Sequence, residues 1–378
     1  MTLRLLGALT IMAALSGAAA AGQAATPALL TASVALPATN VAGGASAVAS
    51  DDWLVYTLPT PLLQPSTSDA NHPFTAFHQR VYAVALRVRG QRLLASSPRF
   101  LFTAPSGLVL SPGSVSGGWL IYTQYSSLGI GGPWTLIARQ ITTGRSVVLD
   151  SPAREGLPSG AALASSDGHT VVWQSWTALR GQRVSVIRAY DLATGQRRLV
   201  AQGGSESSWS YLWPSVSGRQ VVFARVLAAQ PLRAQMLLAN LTTGVVRALT
   251  PLTAGITSPV ISGDLVAWKG RLGPQEKEGG RVVVANLRTG AQRSLNGSFI
   301  EFPQVAAGRY VVFPIGLTTH LALYDSRVGT TTRLAQPGPL GAPGNSVQAA
   351  EHTVLYSLGR FSATTTPLPS RLVVVRLP

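Results

Sequence analysis

The chain has 378 residues, of which 46% are hydrophobic and 12% charged, a composition that excludes an intrinsically disordered protein. It contains 38 Gly, 25 Pro and no Cys, which favours short strands joined by turns and excludes disulfides and cysteine-ligated metals. The formal net charge of +16 favours anionic partners, but the arginines that carry it are scattered rather than clustered, which argues against nucleic-acid binding.

The first 21 residues have the pattern of a secretory signal peptide. Arg4 supplies a short positive region, Leu5–Ala21 is apolar, and three alanines ending at Ala21 suit a cleavage site. The alternative is an uncleaved membrane anchor, although this Ala-rich segment is shorter than the roughly 20 strongly apolar residues that a span prefers. Residues 22–28 are expected to be a linker, and no later segment has 18 consecutive apolar residues. We therefore expect a secreted, periplasmic or cell-envelope protein with no membrane span after the signal segment.

One motif recurs seven times: a small residue, a turn, two or three β-branched or aliphatic residues, and an aromatic residue. Ser116–Tyr122, Ser217–Phe223 and Ser262–Trp268 are clear copies. The closing aromatic residues of successive copies are 43 to 66 residues apart, intervals that suit one four-stranded propeller blade each. The closing residues are Tyr56, Tyr122, Trp173, Phe223, Trp268, Phe313 and Tyr356.

A second motif follows each of the first six copies: an apolar strand, a short turn that ends in Gly, and another strand. Ala189–Gly195, Leu238–Gly244 and Val284–Gly290 are the clearest examples. Gly supplies the positive φ that a tight turn requires, and the preceding Asp or Asn can accept backbone hydrogen bonds. Each repeat therefore predicts four antiparallel strands, the second of them apolar on both faces because blade packs on blade.

The seventh repeat lacks its outer strand. Leu30, Ala32, Val34 and Leu36 alternate with smaller or polar residues, and we predict that they form a strand that pairs with Arg371–Leu377 and closes the ring. The sequence thus predicts an all-β, seven-bladed β-propeller of four-stranded antiparallel blades, one domain over residues 29–378, and a monomer. The predicted blades lie near residues 47–95, 111–150, 158–201, 213–250, 258–296, 302–335, and 346–378 together with 29–36.

At these motifs the chain resembles the TolB-like propeller repeat family, also called PD40 or WD40-like. That family has a strand Pro, a Ser turn and an apolar run ending in an aromatic residue, as in Pro214–Phe223, then an Asp-Leu-x-Thr-Gly hairpin, as in Asp191–Gly195. The resemblance spans about residues 47–377 and implies the propeller fold. Most turns here are Ser-Gly instead of Ser-Pro-Asp-Gly, and residues 22–47 are too few for TolB's separate N-terminal domain, so no partner contact of TolB is carried over.

The connections between blades, and those between second and third strands, are expected to share one face of the disk, where loops can carry a binding site. Aromatic side chains beside arginines suit sugar rings, peptides or anionic groups. We predict a contact surface of Trp176, Arg180, Trp209, Tyr211, Trp213, Arg225, Arg271 and Phe302, and we place Arg183, Arg233 and Lys269 on the same face. Alternatively, Trp213 and Phe302, each just before a strand Pro, pack between blades.

The leading functional hypothesis is a non-catalytic binding or scaffold module that recognises a protein or an anionic polysaccharide. The sequence contains no Gly-x-Ser-x-Gly, Walker, Rossmann or His-Glu-x-x-His motif, and we expect no cofactor and no metal, since His72 and His78 are interpreted as surface residues. The alternative is a polysaccharide lyase or glycosidase. Glu206 and Glu301 lie in connections between blades and could supply the two carboxylates, about 5–10 Å apart, that a glycosidase needs.

Overall fold

The computed structural model describes residues 29–36, 46–61, 77–105, 108–126, 134–151, 164–205, 208–254, 256–270, 281–295, 303–315, 320–334, 347–358 and 371–378. Within these ranges every regular element is a β-strand, and the strands form seven antiparallel sheets. The prediction of a seven-bladed propeller is confirmed. The predicted signal peptide and linker, residues 1–21 and 22–28, lie outside the described residues.

The strands are numbered along the chain. The first is β1 (Leu30–Ala35), which belongs to blade 7. Blade 1 contains β2 (Ala47–Ala49), β3 (Trp53–Pro61), β4 (Phe77–Arg89), β5 (Arg92–Ala95) and β6 (Arg99–Thr103), and blade 2 contains β7 (Leu108–Ser116), β8 (Trp119–Ser126), β9 (Trp134–Gln140) and β10 (Ser146–Asp150). Blade 3 contains β11 (Ala164–Ser166), β12 (Thr170–Leu179), β13 (Gln182–Asp191) and β14 (Arg197–Ser205).

The second half of the ring repeats this order. Blade 4 contains β15 (Trp209–Ser217), β16 (Gln220–Leu227), β17 (Gln230–Asn240), β18 (Val246–Ala248) and β19 (Thr253–Ala254), and blade 5 contains β20 (Thr257–Ser262), β21 (Leu265–Gly270), β22 (Arg281–Asn286) and β23 (Gln292–Leu295). Blade 6 contains β24 (Gln304–Ala306), β25 (Tyr310–Ile315), β26 (His320–Asp325) and β27 (Thr330–Arg333), and blade 7 contains β28 (Val347–Ala350), β29 (Thr353–Leu358), β30 (Arg371–Arg376) and β1. In blades 1 and 4 two short strands share the outer position.

The second strand of a blade is buried on both faces, as its unbroken apolar sequence predicts. In β16, Val221 and Phe223 pack with the core of blade 3, whereas Val222 and Ala224 pack with the core of blade 5. Because side chains alternate between the faces of a strand, each blade supplies half of two inter-blade cores. The apolar side chains of these strands therefore hold the ring together.

The predicted ring closure is confirmed. Strand β1 pairs with β30 from Leu30↔Arg376 to Ala35↔Arg371, and Leu36, only 3% exposed, packs into the core between blades 7 and 1. The first strands β28 and β2 also contact each other, so that the seam between the last and first blades is closed at the axis as well as at the rim. The sheet edge that an open blade 7 would expose is thereby covered.

The two faces of the disk differ in their connections. On the face that we call the turn face, a carbonyl in the turn between first and second strands accepts an N–H from the turn after the third strand, as in Leu192 N–H to His169 O (2.8 Å). On the opposite face, the loop face, the hairpin between second and third strands meets the connection from the previous blade, as in Ala228 N–H to Ser208 O (3.0 Å). Among the described residues, no helix is long and apolar enough to cross a membrane.

Candidate functional site

On blade 3, the hairpin of β12 and β13 carries a tryptophan and an arginine to the loop face. The pairing Ala178↔Arg183 and Trp176↔Ser185 places Arg183 diagonal to Trp176 on one face of the sheet. The guanidinium carbon of Arg183 lies 4.6 Å from the centroid of the Trp176 ring, the geometry of a cation–π contact. Both side chains are partly exposed, so a ligand can reach this pair.

The tip of that hairpin is Arg180-Gly181. Arg180 has a φ of 51°, in the left-handed region that costs a non-glycine residue about 1–2 kcal/mol. Its side chain is exposed. A two-residue hairpin turn of this kind requires a positive φ at both residues, and Gly181 has a φ of 75°, so the backbone conformation follows from the turn and contact of Arg180 with a ligand stays a prediction.

Blade 4 carries a second arginine and tryptophan pair. Arg225 on β16 lies opposite Tyr211 on β15 and opposite Gln235 on β17, and its Nη2 donates to the Gln235 side-chain oxygen. The Arg225 guanidinium stands 5.5 Å from the Trp209 ring centroid, and Trp209 meets Tyr211 edge-on at 4.7 Å. The Nε of Arg225 is buried and has no hydrogen-bond partner among the described residues. The hydrogen bond to Gln235 and the contact with Trp209 fix this guanidinium in position.

The two pairs face each other across the junction of blades 3 and 4. Ser185 and Trp176 lie directly opposite each other on one face of blade 3, and the Ser185 hydroxyl accepts the Tyr211 backbone N–H of blade 4 at 2.8 Å. Tyr211 in turn shares its face of blade 4 with Arg225. We call the junction of blades 3 and 4 at Trp176, Arg183, Trp209 and Arg225 the Trp–Arg cleft.

Two glycines on β14 leave room for neighbouring side chains at this junction, Gly203 for Ser185 of its own blade and Gly204 for Ser208 and Trp209. A Cβ on Gly203 would lie 2.3 Å from the Ser185 hydroxyl oxygen, and a Cβ on Gly204 would lie 2.6 Å from the Trp209 indole nitrogen. Both distances are far below van der Waals contact, so any larger residue would displace the serine or the indole. Gly204 thus leaves room for the Trp209 indole, and Gly203 for the Ser185 hydroxyl.

The electrostatic character of the described loop face is positive. Apart from Asp150, the described carboxylates lie in the turns of the opposite face. Asp150 is 1% exposed and accepts the Trp173 indole N–H at 2.7 Å and the Ser151 N–H at 2.9 Å. Beside the cleft, burial raises the pKa of Tyr211 above 10.0, so this phenol is neutral in the physiological range.

The structure places the predicted contact residues in different environments. Trp176, Arg180, Trp209 and Arg225 lie at or beside the Trp–Arg cleft, whereas Tyr211 is only 7% exposed and packs between blades 3 and 4. Trp213 has a φ of 53°, packs partly against the core between blades 4 and 5, and lines the central cavity. Arg271 and Phe302 lie outside the described residues, as do Glu206, Glu301, His72 and the His78 side chain.

The central cavity has a volume of about 690 Å³ and runs along the axis. First strands of all seven blades line it, through Ala49, Ser114, Ala164, Ser215, Ser258, Gln304 and Val347 among others. Its described walls carry hydroxyl, amide and apolar groups. Its two carboxylates, Asp167 and Glu351, are engaged by backbone and serine donors.

Sequence reasoning did not find three elements of the cleft: Ser185, Gln235 and the Gly203-Gly204 pair. The Arg-Gly dipeptide at 180–181 was the available signal, because a two-residue turn fixes the hairpin register and thereby the residues that face each other across it. The inter-blade partners Ser185 and Gly204 have no such signal, since they become neighbours of Tyr211 and Trp209 only when blades stack.

The chain was compared with protein families, curated proteins and solved structures, and only the solved structures match it. No protein-family model matches the chain, and no curated protein matches it. A prolyl endopeptidase structure matches with a TM-score of 0.54 and 16% identity over 84% of this chain and 45% of that one. The uncomplexed acylaminoacyl peptidase of Pyrococcus horikoshii matches with a TM-score of 0.54 and 11% identity over 88% and 52%.

A putative TolB from Agrobacterium tumefaciens has a TM-score of 0.44 and 14% identity over 74% of this chain and 93% of that one. The chain spans about half the length of the two peptidases that it matches. At identities of 11% to 16% the likeness shows the propeller fold alone.

Proposed function

We propose that this chain is an exported, non-catalytic β-propeller that binds a protein or an anionic glycan through the Trp–Arg cleft. One observation carries the proposal: two arginine–tryptophan pairs lie on the facing sides of neighbouring blades, at one inter-blade junction. Each pair offers the flat apolar face of an indole ring together with a planar guanidinium. Such a combination accommodates a sugar ring or an aliphatic side chain that carries an acidic group.

The charges of the cleft favour an anionic ligand. Arg183 and Arg225 lie on its two walls, Arg180 lies at the hairpin tip above it, and the nearest described carboxylate of this face, Asp150, is buried with both oxygens bonded. A guanidinium bonds a carboxylate or sulfate more strongly than a neutral group does, and the low exposure of the cleft strengthens that preference.

The cleft suits binding, and the two carboxylates of the alternative glycosidase, Glu206 and Glu301, lie outside the described residues. A glycosidase requires two carboxylates about 5–10 Å apart, and the described part of the loop face supplies Asp150 alone, held by Trp173 and Ser151. The described residues also contain no group of three His, Asp or Glu side chains that could hold a metal. A fixed, partly desolvated guanidinium beside an indole can bind a ligand without a carboxylate pair and without a metal.

Export is the second part of the proposal, and it is supported by the sequence of the first 21 residues. Arg4 and the apolar segment Leu5–Ala21 have the order of a positive region and an apolar core. Expression in a Gram-negative host with mass spectrometry of the periplasmic product tests it. Recovery of a product that begins near residue 22 supports export, and retention of the whole chain in the cytosol would contradict it.

Binding is tested with a glycan array that contains uronic acids and sulfated sugars together with their neutral analogues, and with a pull-down of acidic peptides. For the best ligand, Arg225→Gln is expected to weaken binding by about 10- to 100-fold, since a charge-assisted hydrogen bond contributes roughly 1.5–3 kcal/mol. Trp209→Ala should weaken it about tenfold through loss of the stacking plate. Arg247→Gln, an exposed arginine on the same blade but on β18, is the charge-matched control.

Two outcomes contradict the proposal. If Arg225→Gln and Arg247→Gln weaken binding equally, the ligand responds to net charge and not to the cleft. If incubation with an acidic polysaccharide releases new reducing ends or unsaturated sugars, the protein is an enzyme and the non-catalytic assignment is wrong.

A further inference from the structure

The hairpin of β4 and β5 carries three arginines on one side. Its residues pair as Arg87↔Leu94, Val88↔Leu93 and Arg89↔Arg92. Because residues directly opposite each other share a face of a sheet, Arg87, Arg89, Arg92 and Leu94 point to the same side. All four are exposed. We call residues 87–94 the basic hairpin.

This cluster is electrostatically unfavourable in the isolated protein. Arg89 and Arg92 are a directly opposed pair of like charges, which destabilises a strand pair. Among the described residues none of the three arginines forms an ion pair, and Asp52, whose carbonyl oxygen accepts the Leu86 N–H at 2.8 Å, does not neutralise them. An external anionic partner would remove this repulsion.

The basic hairpin also exposes apolar side chains between its arginines. Leu94 is 41% exposed on the arginine side, and Val88, 50% exposed, lies on the other side near the tip. Soluble polyanions gain nothing from an exposed leucine or valine. A lipid bilayer does, because its interface takes apolar side chains just below the anionic head groups that attract arginine.

The basic hairpin lies on the face of the disk opposite the Trp–Arg cleft. Its tip lies on the turn face, and β1 begins on that face too, since Leu30 pairs with Arg376 and the adjoining Leu377 N–H bonds His352 O in a turn. Strand β1 also contacts β5. The start of β1 therefore lies beside the basic hairpin, on the same face of the disk.

We propose that the basic hairpin docks this propeller onto an anionic lipid bilayer, with Arg87, Arg89 and Arg92 among the head groups and Leu94 and Val88 in the interface. The turn face at blade 1 then rests on the membrane, and the loop face with the Trp–Arg cleft points away from it. This surface and its partner are independent of the ligand of the cleft, which lies on the opposite face.

The test is co-sedimentation of the full chain with vesicles of equal parts phosphatidylglycerol and phosphatidylcholine, compared with pure phosphatidylcholine vesicles. Each arginine at an anionic surface strengthens binding about fivefold, so Arg89→Gln with Arg92→Gln should weaken binding to the anionic vesicles about 25-fold and leave the neutral vesicles unaffected. The matched control is Arg219→Gln with Arg247→Gln, which removes the same charge from exposed positions of blade 4.

Two further measurements test whether the variants still fold and whether the hairpin binds a soluble polyanion instead of a bilayer. Removal of the opposed charges should leave the melting temperature unchanged or raise it, which excludes misfolding as the cause of lost binding. Leu94→Ser should weaken vesicle binding but not the binding of a soluble polyuronate. The proposal is overturned if the two double variants lose vesicle binding equally, or if the hairpin variants lose binding to the polyuronate and not to the vesicles.

Discussion

Asp51 ties the last blade to the first, and its replacement by alanine should weaken the closed ring. Its carboxylate accepts the His352 N–H at 2.9 Å and the Thr353 hydroxyl at 2.8 Å, and it pairs with Arg376 at 2.5 Å. Arg376 also donates to the Asp51 carbonyl oxygen. All of these partners are more than 300 residues away in sequence, so the network exists only when the ring is closed.

The magnitude follows from what alanine would leave behind. The Thr353 hydroxyl is fully buried and the Arg376 side chain is only 16% exposed, so each would lose an acceptor that water replaces poorly. An unsatisfied buried group costs about 1–3 kcal/mol. Because the Asp51 side chain is 22% exposed, water recovers part of this loss, and we expect a decrease of about 3 kcal/mol in the free energy of unfolding.

Differential scanning calorimetry measures the effect. With an unfolding entropy of about 2.1 cal/mol/K per residue over roughly 350 residues, a loss of about 3 kcal/mol lowers the melting temperature by about 4 °C. Asp52→Ala is the matched control, because it removes the same charge from the neighbouring, exposed position. If the two variants melt within about 1 °C of each other, the seam network does not stabilise the ring and the reasoning fails.

Three further outcomes are expected. Leu36→Ala should lower the free energy of unfolding by about 3 kcal/mol, since Leu36 is buried where β1 closes the ring; an unchanged urea midpoint would contradict that role. Arg180→Asn should raise stability by about 0.5–1 kcal/mol, because Asn tolerates a φ of 51°, and weaken ligand binding; a variant that binds normally would remove Arg180 from the site. Although burial acts to raise it, hydrogen bonds from Arg309 and the backbone hold the pKa of Asp325 below 3.8, so its contribution is present above pH 3.8 and lost as the pH falls through the lower folded-state pKa. Urea titrations should therefore find Asp325→Asn less stable than the parent by about 2 kcal/mol at neutral pH, with a gap that narrows under acid, and a constant gap would refute the assignment.

The repeat made the fold predictable, because each structural rule is local and occurs several times. Asp191, for example, was assigned to turn chemistry, and its carboxylate accepts the N–H groups of Ala193 and Thr194 two and three residues on, which lowers its pKa. The pairing of β1 with β30 was predictable for a different reason. The last blade lacked one strand, and an alternating segment was available elsewhere in the chain.

The hydrogen bonds between the last and first blades, and the contacts of the cleft, could not be predicted in the same detail. Glu351 has a φ of 53° at a turn position that is glycine in blades 2, 4 and 5, where Gly117 has a φ of 54°. Its carboxylate accepts the Ser116 hydroxyl at 2.6 Å and the Asp51 N–H at 2.9 Å, on two other blades. Such contacts depend on how blades stack around the ring, which the sequence of one repeat does not contain.

Arginine has two separate roles in this protein, and the distinction decides which residues can bind a ligand. Arg99, Arg197 and Arg293 each donate to a backbone carbonyl of a neighbouring blade, at 2.7, 2.7 and 2.9 Å, and each also lies over an aromatic ring. These arginines connect blades, so part of the net charge of +16 reflects assembly of the ring.

The arginines of the cleft and of the basic hairpin differ, because Arg225 bonds Gln235 of its own blade and Arg89 faces another arginine. Replacing a connecting arginine such as Arg293 with glutamine should therefore lower stability and leave binding intact, whereas Arg89→Gln should weaken vesicle binding without lowering stability. Arg225→Gln should weaken ligand binding and also lower stability by about 1 kcal/mol, because it removes the hydrogen bond to Gln235. A single set of variants, measured for both melting temperature and binding, separates the two roles. If every arginine variant changed melting temperature and binding together, binding would depend on the net charge of the protein and neither proposed surface would be specific.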